Sequence, residues 1–152
     1  MARQPKVKEV DLGPMPEWRL EHLYPSMGSP EYAADLARAA ADTAAFASAF
    51  RGKLQALLEG PDGAKALFAA IKRFEALEDL MGRIMSYAGL VYAGDTTDPA
   101  RGKFYGDAQD KITTASSDLL FFTLELNRID DALIDLSLIH ISAPTRPRLS
   151  SY

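Results

Sequence analysis

The sequence predicts an all-α fold: a long antiparallel helical hairpin plus an N-terminal helix, preceded by an extended leader. Three observations carry this expectation. Apolar side chains recur at three- and four-residue spacing along three segments. The last two of these segments are joined by a loop so short that the chain must reverse on itself. No segment offers the alternating polar and apolar pattern of strands that could pair.

Residues 1–28 hold Pro5, Pro14, Pro16 and Pro25 with Gly13 and Gly28, which predicts an extended or turn-rich leader. Its one apolar knot is Trp18, Leu20, Leu23 and Tyr24, so the leader is expected to dock on the body rather than fold alone. Ser29-Pro30-Glu31 then starts a helix: the serine caps free backbone N–H groups, proline suits the first helical position, and the acid complements the dipole. Tyr32, Leu36, Ala39, Thr43, Phe46 and Phe50 mark its buried stripe. Gly52 ends or bends that helix, and Lys53 to Glu59 forms a short turn of its own.

Gly60-Pro61-Asp62-Gly63 breaks the chain before a second stripe of Leu67, Ile71, Phe74, Leu77, Met81, Ile84, Ala88 and Val91. It stops at Gly94, and Asp98-Pro99 caps the next helix across only Asp95, Thr96 and Thr97. The return stripe is Phe104, Ala108, Ile112, Ala115, Leu119, Phe122 and Leu126. At 1.5 Å per residue each arm would reach ~40 Å, so a compact body predicts a break in the first arm near Arg73. Gly82, Ala88, Gly89 and Ala115 are the small residues expected to let the arms approach closely.

Composition narrows the function. With 47% hydrophobic residues the chain can bury a core. Its net charge is −4, and −6 without the basic tail that holds Arg146 and Arg148, so it lacks the basic footprint that nucleic acid requires. The absence of cysteine excludes disulfides, thiol nucleophiles and thiolate metal sites. No signal-peptide core follows Met1, and no window approaches the ~20 apolar residues of a membrane helix, so a cytoplasmic protein is expected, with no nucleic-acid or membrane partner.

No catalytic, cofactor-binding or metal-ligating residue emerges. Zinc hydrolysis of the helical type needs two histidines at i and i+4 with a glutamate beside the first, to hold the metal and activate water. Only His22 and His140 are present, far apart. His22 reads as a surface or packing residue beside Glu21. Glu75, Glu78 and Asp79 fall off the apolar stripe and read as a solvated face. Asp95-Thr96-Thr97-Asp98-Pro99 reads as a capped hairpin turn rather than a ligand loop. Glu125, inside the apolar Phe121-Phe122-Thr123-Leu124-Glu125-Leu126, is expected to snorkel or to find a buried partner such as Arg83 or Arg128, an internal salt bridge being favoured over a substrate contact.

The chain resembles the N-terminal part of oligoendopeptidase F, a zinc metallopeptidase of the thimet-oligopeptidase kind, from about Pro16 to Asp135. The resemblance rests on Pro16-Glu17-Trp18 with Leu20, Leu23 and Tyr24, on Tyr87-Ala88-Gly89 followed by Asp95-Thr96-Thr97-Asp98-Pro99, and on Phe121 to Leu126, in that order. Arg19, Glu21 and His22 depart from it, standing where that family more often has small or acidic residues. In the family the zinc motif, its distal glutamate and the substrate-binding His and Tyr residues lie downstream, so none maps onto this chain. The resemblance implies that residues 29–135 are the incomplete helical N-terminal domain of a zinc-dependent enzyme that cuts internal bonds of short peptides. It also implies a missing C-terminal catalytic domain and a fragment inactive alone. The rival expectation is a free-standing helical interaction module that buries its stripe against a partner or a second copy.

Residues 136–152 read as foreign, the alternative being a genuine C-terminus whose apolar run Leu136 to Ile141 packs as a short strand or a helix end. Leu136-Ser137-Leu138-Ile139-His140-Ile141-Ser142 back-translates to CTG TCT CTT ATA CAC ATC TC, which resembles the transposon-end adapter of DNA sequencing libraries. Pro144-Thr145-Arg146 continues that frame, while Ala143 stands one base from the glutamate it would give. Before it, Asp130 to Asp135 reads as the start of another helix, with acids where the dipole favours them.

Overall fold

The computed structural model describes residues 18–129, which form five helices and no strand: α1 (Pro30–Phe50), α2 (Leu54–Leu58), α3 (Gly63–Gly94), α4 (Pro99–Ser117) and α5 (Leu120–Leu126). The predicted all-α class holds over this range. The reading of residues 136–152, the helix start at Asp130, and His140 lie outside the described residues.

Local chemistry explains the start of α1. The Ser29 hydroxyl accepts from the Tyr32 N–H at 3.3 Å, with Pro30 and Glu31 in the first turn. Tyr32, Ala39, Thr43 and Phe46 of its stripe are buried, and Leu36 and Phe50 partly so. Thr43 is polar and fully buried, but its hydroxyl donates to the Ala39 carbonyl at 2.9 Å, so no unpaired group is sequestered. The chain leaves helical geometry at Arg51 and turns at Gly52, whose φ of 73° is the left-handed conformation that glycine adopts without a side-chain clash. Leu54 and Leu58 then fix α2 to the core.

The break expected near Arg73 does not occur. Helix α3 runs unbroken for 32 residues, ~48 Å at the usual rise. The return arm breaks instead, between α4 and α5. There Thr113-Thr114-Ala115-Ser116-Ser117 supplies hydroxyls that compete for the helix's own acceptors. Ser116 and Ser117 donate to the Thr113 and Thr114 carbonyls at 3.0 and 2.7 Å. The Asp118 and Leu119 N–H groups fall back to the Ala115 and Ser116 carbonyls, three residues away, tightening the turn. The apolar register survives the break: Ala108, Ile112, Ala115, Leu119 and Phe122 are all buried.

Aromatic contacts set the topology. Tyr32 at the start of α1 meets Tyr87 near the end of α3 and Phe104 near the start of α4, with ring centroids at 5.8 and 4.8 Å. Phe46 at the other end of α1 meets Phe74 of α3 and Phe122 of α5, at 6.1 and 5.0 Å. Helix α1 is therefore antiparallel to α3 and runs with α4, covering the groove of the hairpin along its length. That double contact widens the buried face of α3, where Ala70, Leu80 and Tyr87 join the predicted stripe. Ala88 and Ala115 are buried as small interface residues should be, whereas Gly82 is not at an interface: a Cβ there would meet nothing within 4 Å. Among the described residues no helix is long and apolar enough to cross a membrane.

Candidate functional site

The leader meets the body at the hairpin tip. A turn between Leu20 and Tyr24, closed by the Leu23 and Tyr24 N–H groups on the Leu20 carbonyl at 2.9 and 3.2 Å, drives the Tyr24 ring inward. Tyr24 is only 2% exposed and packs edge-on against Tyr32 and Tyr87, at 5.2 and 5.1 Å between centroids. Leu20 and Leu23 are partly buried beside it. Trp18, expected in the same knot, is 63% exposed and stays outside. The knot closes around the one ring that can also satisfy a hydroxyl inside.

That hydroxyl donates to the Asp35 carboxylate at 2.7 Å. Asp35 also pairs with Arg38 one turn along α1 at 2.8 Å and with Arg83 across on α3, and the Arg83 guanidinium lies 5.2 Å above the Tyr24 ring. A largely covered carboxylate thus ties the leader, α1 and α3 together. Its signal in the sequence was an acid in an alanine-rich helix with an arginine three residues on, which names one partner and hides the two that matter for the fold.

The cluster has a consequence at high pH. Tyr24 is pushed up from 10.0 to about 12, first by burial and then by its hydrogen bond to Asp35. Tyr32 is likewise pushed up to about 12, by burial, with Tyr87 and Asp107 adding to it. Between these values the folded chain keeps protons that the unfolded chain has lost, so the folded state binds more protons and stability falls as pH rises. The expected result is full stability below pH 10 and progressive loss from there to about 12. Tyr24→Phe should flatten part of that slope. Denaturant unfolding from neutral to strongly alkaline pH measures it, and a stability insensitive to pH over this window would contradict the arrangement.

The other candidates resolve into structure. His22 is exposed on the leader turn and is the one histidine among the described residues. Glu75, Glu78 and Asp79 lie on the solvated side of α3, with Glu75 held by Lys72 at 2.8 Å. The Asp95 carboxylate accepts from the Thr97 N–H and hydroxyl at 2.9 and 2.7 Å, and the Thr97 bonds hold its carboxyl below the usual range. Asp98 accepts from the Ala100 N–H at 2.8 Å and so caps α4. This is the capped turn the sequence predicts.

Glu125 departs from expectation. Neither Arg83 nor Arg128 is its partner: Arg83 is committed to Asp35, and Arg128 is exposed. Its carboxylate instead accepts from the Gly52 backbone N–H at 2.6 Å. Beside it the Arg51 guanidinium reaches the Asp118 carbonyl and carboxylate at 3.3 Å and lies 5.2 Å from the Phe121 ring. A turn-forming glycine leaves its N–H unsatisfied by helix, and a carboxylate is the acceptor that best fills the need. The contact clasps α5 to the end of α1; it is not acid–base machinery. Among the described residues no group of three or more His, Cys, Asp or Glu side chains is arranged to hold a metal ion.

What remains open is a groove of about 810 Å³ between the leader turn and the end of α3, within the range of small-ligand sites. Trp18, Glu21, Tyr24 and Met27 line the leader side, and Tyr87, Leu90, Val91 and Gly94 the α3 side. Arg101 closes one end, donating to the Val91 carbonyl at 3.1 Å and pairing with Asp98 at 3.6 Å. Sequence reasoning missed this groove because its two walls are sixty or more residues apart in the chain. No protein-family model matches the chain, and neither the curated proteins nor the solved structures contain a match.

Proposed function

We propose that this chain is the helical N-terminal portion of a cytoplasmic zinc-dependent oligoendopeptidase, with the zinc ligands and catalytic groups in sequence downstream of Asp135. In this reading the described helices help wall the space that admits short peptides, and they carry no chemistry themselves. The parent would hydrolyse internal peptide bonds with a metal-activated water. The observation that carries the reading is the ring-to-ring contact of Tyr24 and Tyr87 at 5.1 Å. Two of the three sequence blocks that resemble the family, far apart in the chain, meet there as one unit. The third block supports it by clasping α5 to the Gly52 turn through Glu125.

A second reading, the free-standing interaction module, draws on the surface of α5, where Leu120 and Leu124 stand one turn apart at 66% and 53% exposure. An uncovered apolar face suits a partner as well as it suits a missing domain. One experiment separates the two. The gene recovered from source DNA is expected to run in frame past Asp135 and to reach a His-Glu-x-x-His helix with a later glutamate. Its product should cleave short peptides in a chelator-sensitive way, and the 152-residue chain should not. A stop codon directly after Tyr152 in an independent read would overturn the peptidase reading and put the interaction module in its place.

A further inference from the structure

The groove at the hairpin tip carries chemistry that the peptidase reading does not use. Trp18 is the only tryptophan in the chain and is 63% exposed while lining a concave site. Glu21, three residues on, lines the same wall. It takes part in no ion pair among the described residues. Tyr87 lines the groove from α3 but is only 3% exposed, its hydroxyl held above the usual range by burial and then by the Glu21 carboxylate. Among the described residues the one cation lining the groove, Arg101, is already matched by Asp98 and the Val91 carbonyl. Among the described residues the result is a carboxylate without an ion-pair partner on the same wall as an exposed indole.

We propose that this groove binds an organic cation, an alkylammonium or guanidinium group held between the Trp18 indole and the Glu21 carboxylate. Aromatic faces attract such a cation through their quadrupole, and an adjacent carboxylate adds a direct charge contact. Inorganic cations, strongly hydrated and without apolar surface, fit this lining poorly. Two sources share the chemistry: the side chain of a lysine or arginine, and the free amino terminus of a short peptide. The inference stands on the groove alone and does not depend on the peptidase reading.

The single tryptophan reports on its own site. The purified full chain is titrated, following Trp18 emission, with N-acetyl-lysine methylamide, with alanine amide, and with N-acetyl-norleucine methylamide as the uncharged shape match. A saturable change with either cation, absent with the norleucine probe, is the expected result, and the responding probe names the source. Glu21→Gln, at an exposed position that the fold does not need, should weaken binding by about two- to fivefold, the scale of a solvent-facing charge pair. Equal binding of the norleucine probe, a purely linear quench by all three, or an unchanged affinity in the Glu21→Gln chain would overturn the proposal.

Discussion

Phe122→Ala is expected to cost about 3–5 kcal/mol, the range for emptying a buried aromatic site. Phe122 is 1% exposed and belongs to a five-ring cluster. It stacks on Phe74 at 4.9 Å and meets Phe46 edge-on at 5.0 Å, with Phe121 at 6.2 Å. Those rings come from α1, α3 and α5, so the cavity would open where three helices meet and no single one could relax to fill it. Small domains hold ~5–15 kcal/mol in all, so this one substitution should remove roughly a fifth of the total or more. Phe74 is only partly buried, and its alanine variant should cost less. Denaturant titration of the full chain measures both. A midpoint unchanged by Phe122→Ala would show that the cluster does not hold the helices together.

The fold was legible where a single period governs it. The stripes of α1, α3 and α4 follow from the 3.6-residue repeat, and the Asp95–Pro99 turn from side chains that bond to their own neighbours, so both are local properties of the sequence. The misplaced break shows the limit of that period. Apolar spacing continues smoothly through Asp118, and only the run of hydroxyl residues before it betrays the competition for backbone acceptors. Glu125 shows another limit, because a carboxylate's need for a partner is local while the partner's identity is tertiary. The sequence suggests an arginine, and the structure supplies the N–H that Gly52 leaves free. Tyr24 and Trp18 sat together in the apolar knot, yet among the described leader residues Tyr24 is 2% exposed and Trp18 63%. Hydrophobicity ranks them alike; what separates them is that Asp35 waits inside for a hydroxyl. The candidate cation site was invisible for the same reason, since no local pattern announces that Glu21 and Tyr87 will share a groove.

Gly63→Ala is expected to be more disruptive than its conservative look suggests, at upward of about 3 kcal/mol. A Cβ on Gly63 would lie 2.1 Å from the Leu58 carbonyl oxygen, 2.6 Å from its carbon and 2.7 Å from its Cα. All three are backbone atoms, so no side chain can rotate aside. The reason is the reversal from α2 into α3: the Gly63 N–H bonds to the Gly60 carbonyl at 3.0 Å, and this tight turn lays the start of α3 on the end of α2. Gly63 is not at positive φ, so close approach and not backbone conformation is what demands glycine there. Usual overpacking costs of ~1–3 kcal/mol assume neighbours that can shift, and here the shift would have to lift α2, with buried Leu54 and Leu58, off the core. Gly82→Ala supplies the contrast. It adds the same methyl group to the interior of α3 with open space around it, and should stabilise by up to ~1 kcal/mol through helix propensity alone. Opposite signs for the two variants in denaturant unfolding are the expected outcome. Equal effects would mean that the approach of α2 to α3 is looser than the Gly63 contacts require.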